Sequence, residues 1–141
     1  MERLDVAFVV PPFGDLVYPA VGVSTLQAAL ADRGRRARTF YFNLRLGAEL
    51  GEELYRTLAL DFDPSSLVGE WFFADAAFGA REPDGYARDL LEPGCVAALG
   101  ERRAHEVEAT LDAIRDARTR AGAFADACAA ELAGHRPAIV G

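Results

Sequence analysis

The chain contains no lysine: all 15 of its basic residues are arginine. It has two cysteines, two histidines, one methionine and one tryptophan in 141 residues. These scarcities exclude chemistry. A metal knuckle draws its ligands from closely spaced pairs, and Cys95 and Cys128 are far apart in sequence. They read instead as small apolar residues on helices. His105 and His135 stand alone and read as surface or helix-end residues. No Ser/His/Asp or Cys/His constellation can be assembled. No apolar run approaches about 20 residues, so no transmembrane helix is predicted. Glu2 and Asp5 interrupt the start, which does not read as a secretory signal, and the cytoplasm is the expected location. Fifteen basic against 22 acidic residues give a net charge of −7. Nucleic acids and anionic membranes need a basic footprint, so neither is an expected partner. Lysine-free, alanine-rich usage points to a G+C-rich bacterial coding sequence.

What remains is enough for a globular fold. Apolar residues make up 51% and charged residues 26%, and one domain of this length buries a substantial core. Residues 5–10 form a near-continuous apolar run, the pattern of a strand covered on both faces. Pro11, Pro12, Phe13 and Gly14 then stop it, since proline has no N–H for the ladder. A helix is predicted over 19–33, with Gly34 as its C-cap and Arg33, Arg35 and Arg36 at its negative end. Residues 38–44, aromatic and β-prone, predict a second strand. This is a βαβ unit (1–44) with parallel strands.

Residues 45–134 predict helices and turns without a convincing strand. A short helix is expected near 48–58 and a loop at 61–64. A second helix carries Trp71, Phe72, Phe73 and Phe78, with Ser65 or Ser66 as its cap. A loop at 79–85 precedes a helix over 86–91 that Pro93-Gly94 breaks. A long helix is predicted over 102–133, with Val107, Leu111, Ile114, Ala121, Cys128 and Leu132 at helical spacing and Gly122 as a potential kink. Residues 135–141 begin like a third strand. Ending on a buried strand leaves the sheet with open edges, so the polypeptide is expected to continue, or a partner to complete the sheet.

The fold class is therefore α/β: a small Rossmann-like parallel sheet with a large helical insertion between strands 2 and 3. Ligands of such units sit outside the carboxyl ends of the strands. Those ends carry Pro11, Pro12, Phe13 and Gly14 on one strand and Asn43 on the other. A Gly-x-Gly-x-x-Gly fingerprint and a Gly-Lys-Ser/Thr cradle are both absent, which argues against a dinucleotide or flavodoxin-like reading. A diproline makes a rigid, donor-poor ledge suited to the flat apolar face of a large ligand. Asn43 offers a donor and an acceptor, or serves simply as a turn residue. Asp61 and Asp63 could act as paired carboxylates, but a capping or solvated role fits them better.

Taken in order, several stretches resemble a known arrangement. These are Val-Val-Pro-Pro-Phe-Gly from Val9, then Tyr18-Pro19-Ala20-Val21-Gly22, then Phe40-Tyr41-Phe42-Asn43-Leu44. Gly51 and Tyr55 follow, then Leu67-Val68-Gly69-Glu70-Trp71-Phe72-Phe73-Ala74. The set resembles the amino-terminal region of the cobalamin-binding radical SAM enzymes that mature ribosomally made peptides. The resemblance implies a cobalamin-binding-type domain with Pro11, Pro12, Phe13 and Gly14 along the corrin, Tyr18 near its rim and Asn43 hydrogen-bonded to it. It implies a downstream domain holding a [4Fe–4S] cluster and S-adenosylmethionine, C-methylation as the reaction, and a ribosomal precursor peptide as the partner. The Cys-x-x-x-Cys-x-x-Cys cluster motif is absent, so no catalytic residue is expected in this chain. The Asp-x-His-x-x-Gly motif that supplies cobalt with a histidine is absent too. The alternative reading is a non-catalytic module that docks a leader peptide or partner, or dimerises through the long helix.

Overall fold

The computed structural model describes residues 3–79 and 85–141. Strand β1 (Val6–Val10) lies at the centre of a three-stranded parallel sheet, flanked by β2 (Ala37–Tyr41) and β3 (Ile139–Val140). Val6 pairs with Ala37 on one side and Ile139 on the other. The central position explains the unbroken apolar run: β1 has neighbours on both edges and layers on both faces.

Register shows which helix covers which face. Thr39 on β2 donates its hydroxyl to Gln27 Oε1 at 2.6 Å, which places α1 (Val21–Ala31) over one face. Ala7 and Val9, two residues apart and so on one face, pack with Phe40, Phe124 and Cys128. The last two belong to α6 (Val107–His135), which therefore covers the opposite face. Helix α1 starts two residues later than predicted, because Pro19 O accepts the Val21 N–H in a tight turn at 2.8 Å. It ends at Ala31 with Asp32 as its C-cap, two residues earlier than predicted; Gly34, at φ +68, makes the turn just beyond, and Arg33 donates to the Ala29 carbonyl at 2.8 Å.

The predicted second strand is too long. Phe42-Asn43-Leu44 forms the first turn of α2 (Phe42–Leu50). Its buried residues are Phe42, Asn43, Leu46 and Gly47, an i, i+4 pattern that outweighs the β-propensity of the aromatics. Asn43 therefore lies in a helix, not at the end of a strand. Gly51, at φ +82, separates α2 from α3 (Glu52–Arg56), and a π-turn over Thr57–Asp61 follows.

Neither Ser65 nor Ser66 caps α4 (Val68–Phe78). The residue before that helix is Leu67, in the left-handed region. Asp63 instead caps a short 3₁₀ turn over Pro64–Ser66, its Oδ1 accepting from the Ser65 N–H at 2.8 Å. Most of the predicted 79–85 loop lies outside the described residues. Pro93 does not break a helix: the π-turn Ala87–Leu91 runs directly into α5 (Glu92–Leu99). Pro93 lies in the first turn of α5, where the bonding passes from the i→i+5 pattern of Ala87–Leu91, with Glu92 N–H on Ala87 O, to the α-helical one. Helix α6 runs unbroken through Gly122, and residues 101–106 form a separate 3₁₀ turn before it.

Two apolar clusters result. One lies among the helices, around Phe62, Trp71, Phe72, Leu91 and Ile114. The other joins the sheet to α2 and α6 through Ala7, Phe40, Leu46, Tyr55 and Phe124. Phe13 packs against both. Leu111, Ile114, Ala117, Ala121, Phe124 and Cys128 of α6 are buried within the chain. Among the described residues no helix is long and apolar enough to cross a membrane.

Candidate functional site

The site is built around the loop between β1 and α1. Pro11 O accepts the Gly14 N–H at 3.3 Å, closing a turn straight after the strand. Phe13 sits in that turn at φ 65, a conformation costly for a residue with a side chain and sustained only by strong surroundings. Its ring meets Phe72 edge-on at 5.5 Å, Tyr55 at 5.9 Å and Phe73 at 6.0 Å. Gly69 leaves room for it: a Cβ there would come within 3.0 Å of the ring.

Two side chains hold the loop backbone. Tyr55 donates its hydroxyl to the Gly14 carbonyl at 2.6 Å, and Asn43 Nδ2 donates to the Asp15 carbonyl at 2.9 Å. Burial pushes the Tyr55 pKa up to about 12, so the phenol stays a donor throughout the physiological range. Asp15 orders the next turn, its Oδ1 accepting from Val17 N at 2.6 Å and Tyr18 N at 3.0 Å.

The loop walls two clefts. The larger has a volume of about 800 Å³. Pro11, Pro12 and Phe13 line it from the strand end, Val68, Gly69 and Phe73 from α4, and Ala125, Cys128, Ala129 and Leu132 from α6. Asp63, Ser66 and Glu70 supply its polar edge. Ser66 is 8% exposed and its hydroxyl has no hydrogen-bond partner. Burial raises the Cys128 pKa, so its thiol is a neutral apolar wall at neutral pH. The smaller cleft, about 440 Å³, is lined by Val10, Asp15, Tyr18, Ala20, Tyr41 and Asn43, among others.

The six sequence-predicted residues are therefore divided. Pro11, Pro12 and Phe13 face the larger cleft, and Tyr18 and Asn43 the smaller. Gly14 lines neither and makes the turn. Asp61 and Asp63 do not act as a pair: Asp61 lies 3.8 Å from Arg56, and Asp63 serves Ser65. The Ser65 hydroxyl and amide hold the Asp63 carboxyl below its usual range. Cys95 and Cys128 are separate free thiols. His105 is exposed, and His135 packs its ring on Phe40 at the end of α6. Among the described residues no three His, Cys, Asp or Glu side chains gather as metal ligands.

Sequence reasoning missed the roles of Tyr55 and Asp15 and the α6 wall. Tyr55 acts 41 residues from its partner, a distance no local pattern spans. The small residues of the α6 wall did have a signal, their i, i+3, i+4 spacing at 125, 128, 129 and 132. No family model matches the chain, and no curated protein or solved structure matches it.

Proposed function

We propose that this chain is a Rossmann-like, cobalamin-binding-type domain with a helical insertion, working in the cytoplasm at the front of a radical SAM enzyme. That enzyme C-methylates a ribosomally synthesised precursor peptide, using S-adenosylmethionine and a [4Fe–4S] cluster held outside this chain. One observation carries the reading. The stretches that resemble that family are scattered from Val9 to Ala74, yet Phe13, Gly14, Tyr55, Gly69, Phe72 and Phe73 meet at one loop. That loop stands at the carboxyl end of the central strand. The order β2-β1-β3 makes that end a point where the chain reverses direction across the sheet, the usual ligand position in such folds.

The larger cleft fits the apolar face of a corrin. Pro11 and Pro12 line it with no N–H donor, and Phe124, Ala125, Cys128, Ala129 and Leu132 line it from α6. None of its lining residues is a histidine, so a corrin here takes no imidazole from the described wall. When bound, methylcobalamin supplies a methyl group. The chain's own part is to bind and orient. Tyr55 and Asn43 fix the loop backbone, Phe13 locks it to α4, and Asp63, Ser66 and Glu70 offer polar contacts at the edge. Asn43 thus positions the loop rather than touching the corrin.

The test is a titration with hydroxocobalamin followed by its visible absorption bands. Saturable binding is expected, weakened at least about tenfold, or 1.4 kcal/mol, by Ala129→Phe, which fills the cleft from an exposed position. Binding that ignores this substitution, or no binding at all, removes the reading.

A further inference from the structure

The larger cleft carries a charge pattern that its apolar fit to a corrin does not use. Of the side chains lining it, only Asp63 and Glu70 are charged at neutral pH, and no arginine or histidine is among them. The two come from different elements. Asp63 is the N-cap of the 3₁₀ turn over Pro64–Ser66, and Glu70 lies in the first turn of α4. Both are exposed, so both are open to a ligand at the cleft edge. Ser65 occupies Oδ1 of Asp63 and leaves Oδ2. Glu70 forms no ion pair among the described residues.

Positive charge near the cleft does not reverse its sign. The start of α4 lines the same wall, but a helix end counts for about half a charge against two full carboxylates. Arg45 stacks on the Phe124 ring of the α6 wall, and Glu49 and Glu131 pair with it.

An ionised carboxylate accepts hydrogen bonds and donates none. A ligand carboxylate at this edge would therefore meet like charge and offer no proton. A primary carboxamide of the same size is neutral and brings two N–H donors, and its bonds to an ionised acceptor are charge-assisted. The rim of a corrin is built of acetic and propionic acid side chains, which are either free acids or primary amides. We infer that Asp63 and Glu70 make the larger cleft selective for amidated corrins, each carboxylate accepting a carboxamide N–H from the rim, and that they reject corrins whose rim carries free acids. This selectivity rests on the corrin reading of the cleft.

The experiment is a visible-absorption titration of the whole chain with three corrinoids. Hydroxocobalamin tests the corrin reading. Diaquacobinamide and diaquacobyrinic acid test the selectivity: both lack the nucleotide, and the first has an amidated rim where the second has free acids. Cobinamide should bind at least about tenfold tighter than cobyrinic acid, or 1.4 kcal/mol. In the Asp63→Asn/Glu70→Gln double variant that preference should shrink by at least about threefold. Asparagine keeps the acceptor that Ser65 uses, and both positions are exposed, so the variant should fold. Glu101→Gln/Glu108→Gln removes the same two charges at exposed positions outside the cleft lining and should leave the preference unchanged. No binding of hydroxocobalamin would overturn the corrin reading and the selectivity together. If hydroxocobalamin binds, three results would overturn the selectivity alone: cobyrinic acid binding as tightly as cobinamide, a preference that survives the cleft double variant, or one that the remote double variant reduces equally.

Discussion

Replacing Tyr55 by phenylalanine removes one oxygen from the centre of the site. The ring keeps its contacts with Phe13, and Tyr55 is only 1% exposed, so no cavity of consequence opens. What is lost is the 2.6 Å bond to Gly14 O. That carbonyl is half-buried, so water recovers part of the loss, and the expected destabilisation is about 1–2 kcal/mol. Thermal unfolding should shift down by roughly 4 °C per kcal/mol for a chain of this size. The phenol also makes the difference pH-dependent. Its pKa rises from 10.0 to about 12 on folding. Between those values the folded state holds a proton that the unfolded state has released, so stability falls as pH rises. The loss across that window is at most about 2.7 kcal/mol. Wild type and Tyr55→Phe should therefore differ most below pH 10, and the gap should narrow toward pH 12. Urea unfolding followed by Trp71 fluorescence measures the gap, and near-ultraviolet tyrosinate absorbance shows the late-titrating group. A late component that persists in Tyr55→Phe, or a stability gap that is negligible at neutral pH, would refute the reasoning.

Two helix glycines should respond in opposite directions. At Gly122 a Cβ would meet only Ala76 at 3.9 Å, so Gly122→Ala should raise stability by about 1 kcal/mol through helix propensity. At Gly94 a Cβ would lie 2.8 Å from the buried Phe62 ring, and overpacking of about 1–3 kcal/mol should make Gly94→Ala destabilising. Thermal melts of the two variants should move to opposite sides of wild type. The Arg118 guanidinium lies 4.1 Å from the Trp71 ring and 3.0 Å from Asp75 Oδ1. Arg118→Ala should cost about 1–3 kcal/mol and change Trp71 emission. Arg118→Lys should restore only part of that, since an ammonium lacks the planar fork.

How far the sequence can be read depends on how local each signal is. The apolar run of β1, the glycine turn just beyond α1 and the diproline stop are each encoded within a few residues, and the structure shows each of them. The end of β2 misleads because Phe40 to Leu44 has strand composition, while the i, i+4 burial of Phe42 with Leu46 and Asn43 with Gly47 comes from packing. Pro93 misleads because its meaning depends on position: it stops a helix interior but opens a first turn. On α6 the predicted spacing names Ile114, Ala121 and Cys128, and the structure adds Ala117 and Phe124 to the same buried set. At the site, the loop is visible in the sequence and its clamps are not. The donors from Asn43 and Tyr55 reach backbone atoms 28 and 41 residues away, and backbone acceptors leave no trace in composition.

The pairing of β1 with β3 also bears on how the chain reaches this structure. Val6 and Ile139 are neighbours in the sheet, so every helix is enclosed in one long covalent loop between them. The crossover unit of β1, α1 and β2 closes over some thirty residues and carries a small entropic penalty. Joining β3 closes a loop of nearly the whole polypeptide, and contacts of such long sequence separation form more slowly. The central strand is thus laid down early with one partner and completed late with the other. Until then its second edge presents unpaired N–H and C=O groups, the feature that invites intermolecular strand pairing. Self-association during refolding should accordingly begin at that edge rather than among the helices.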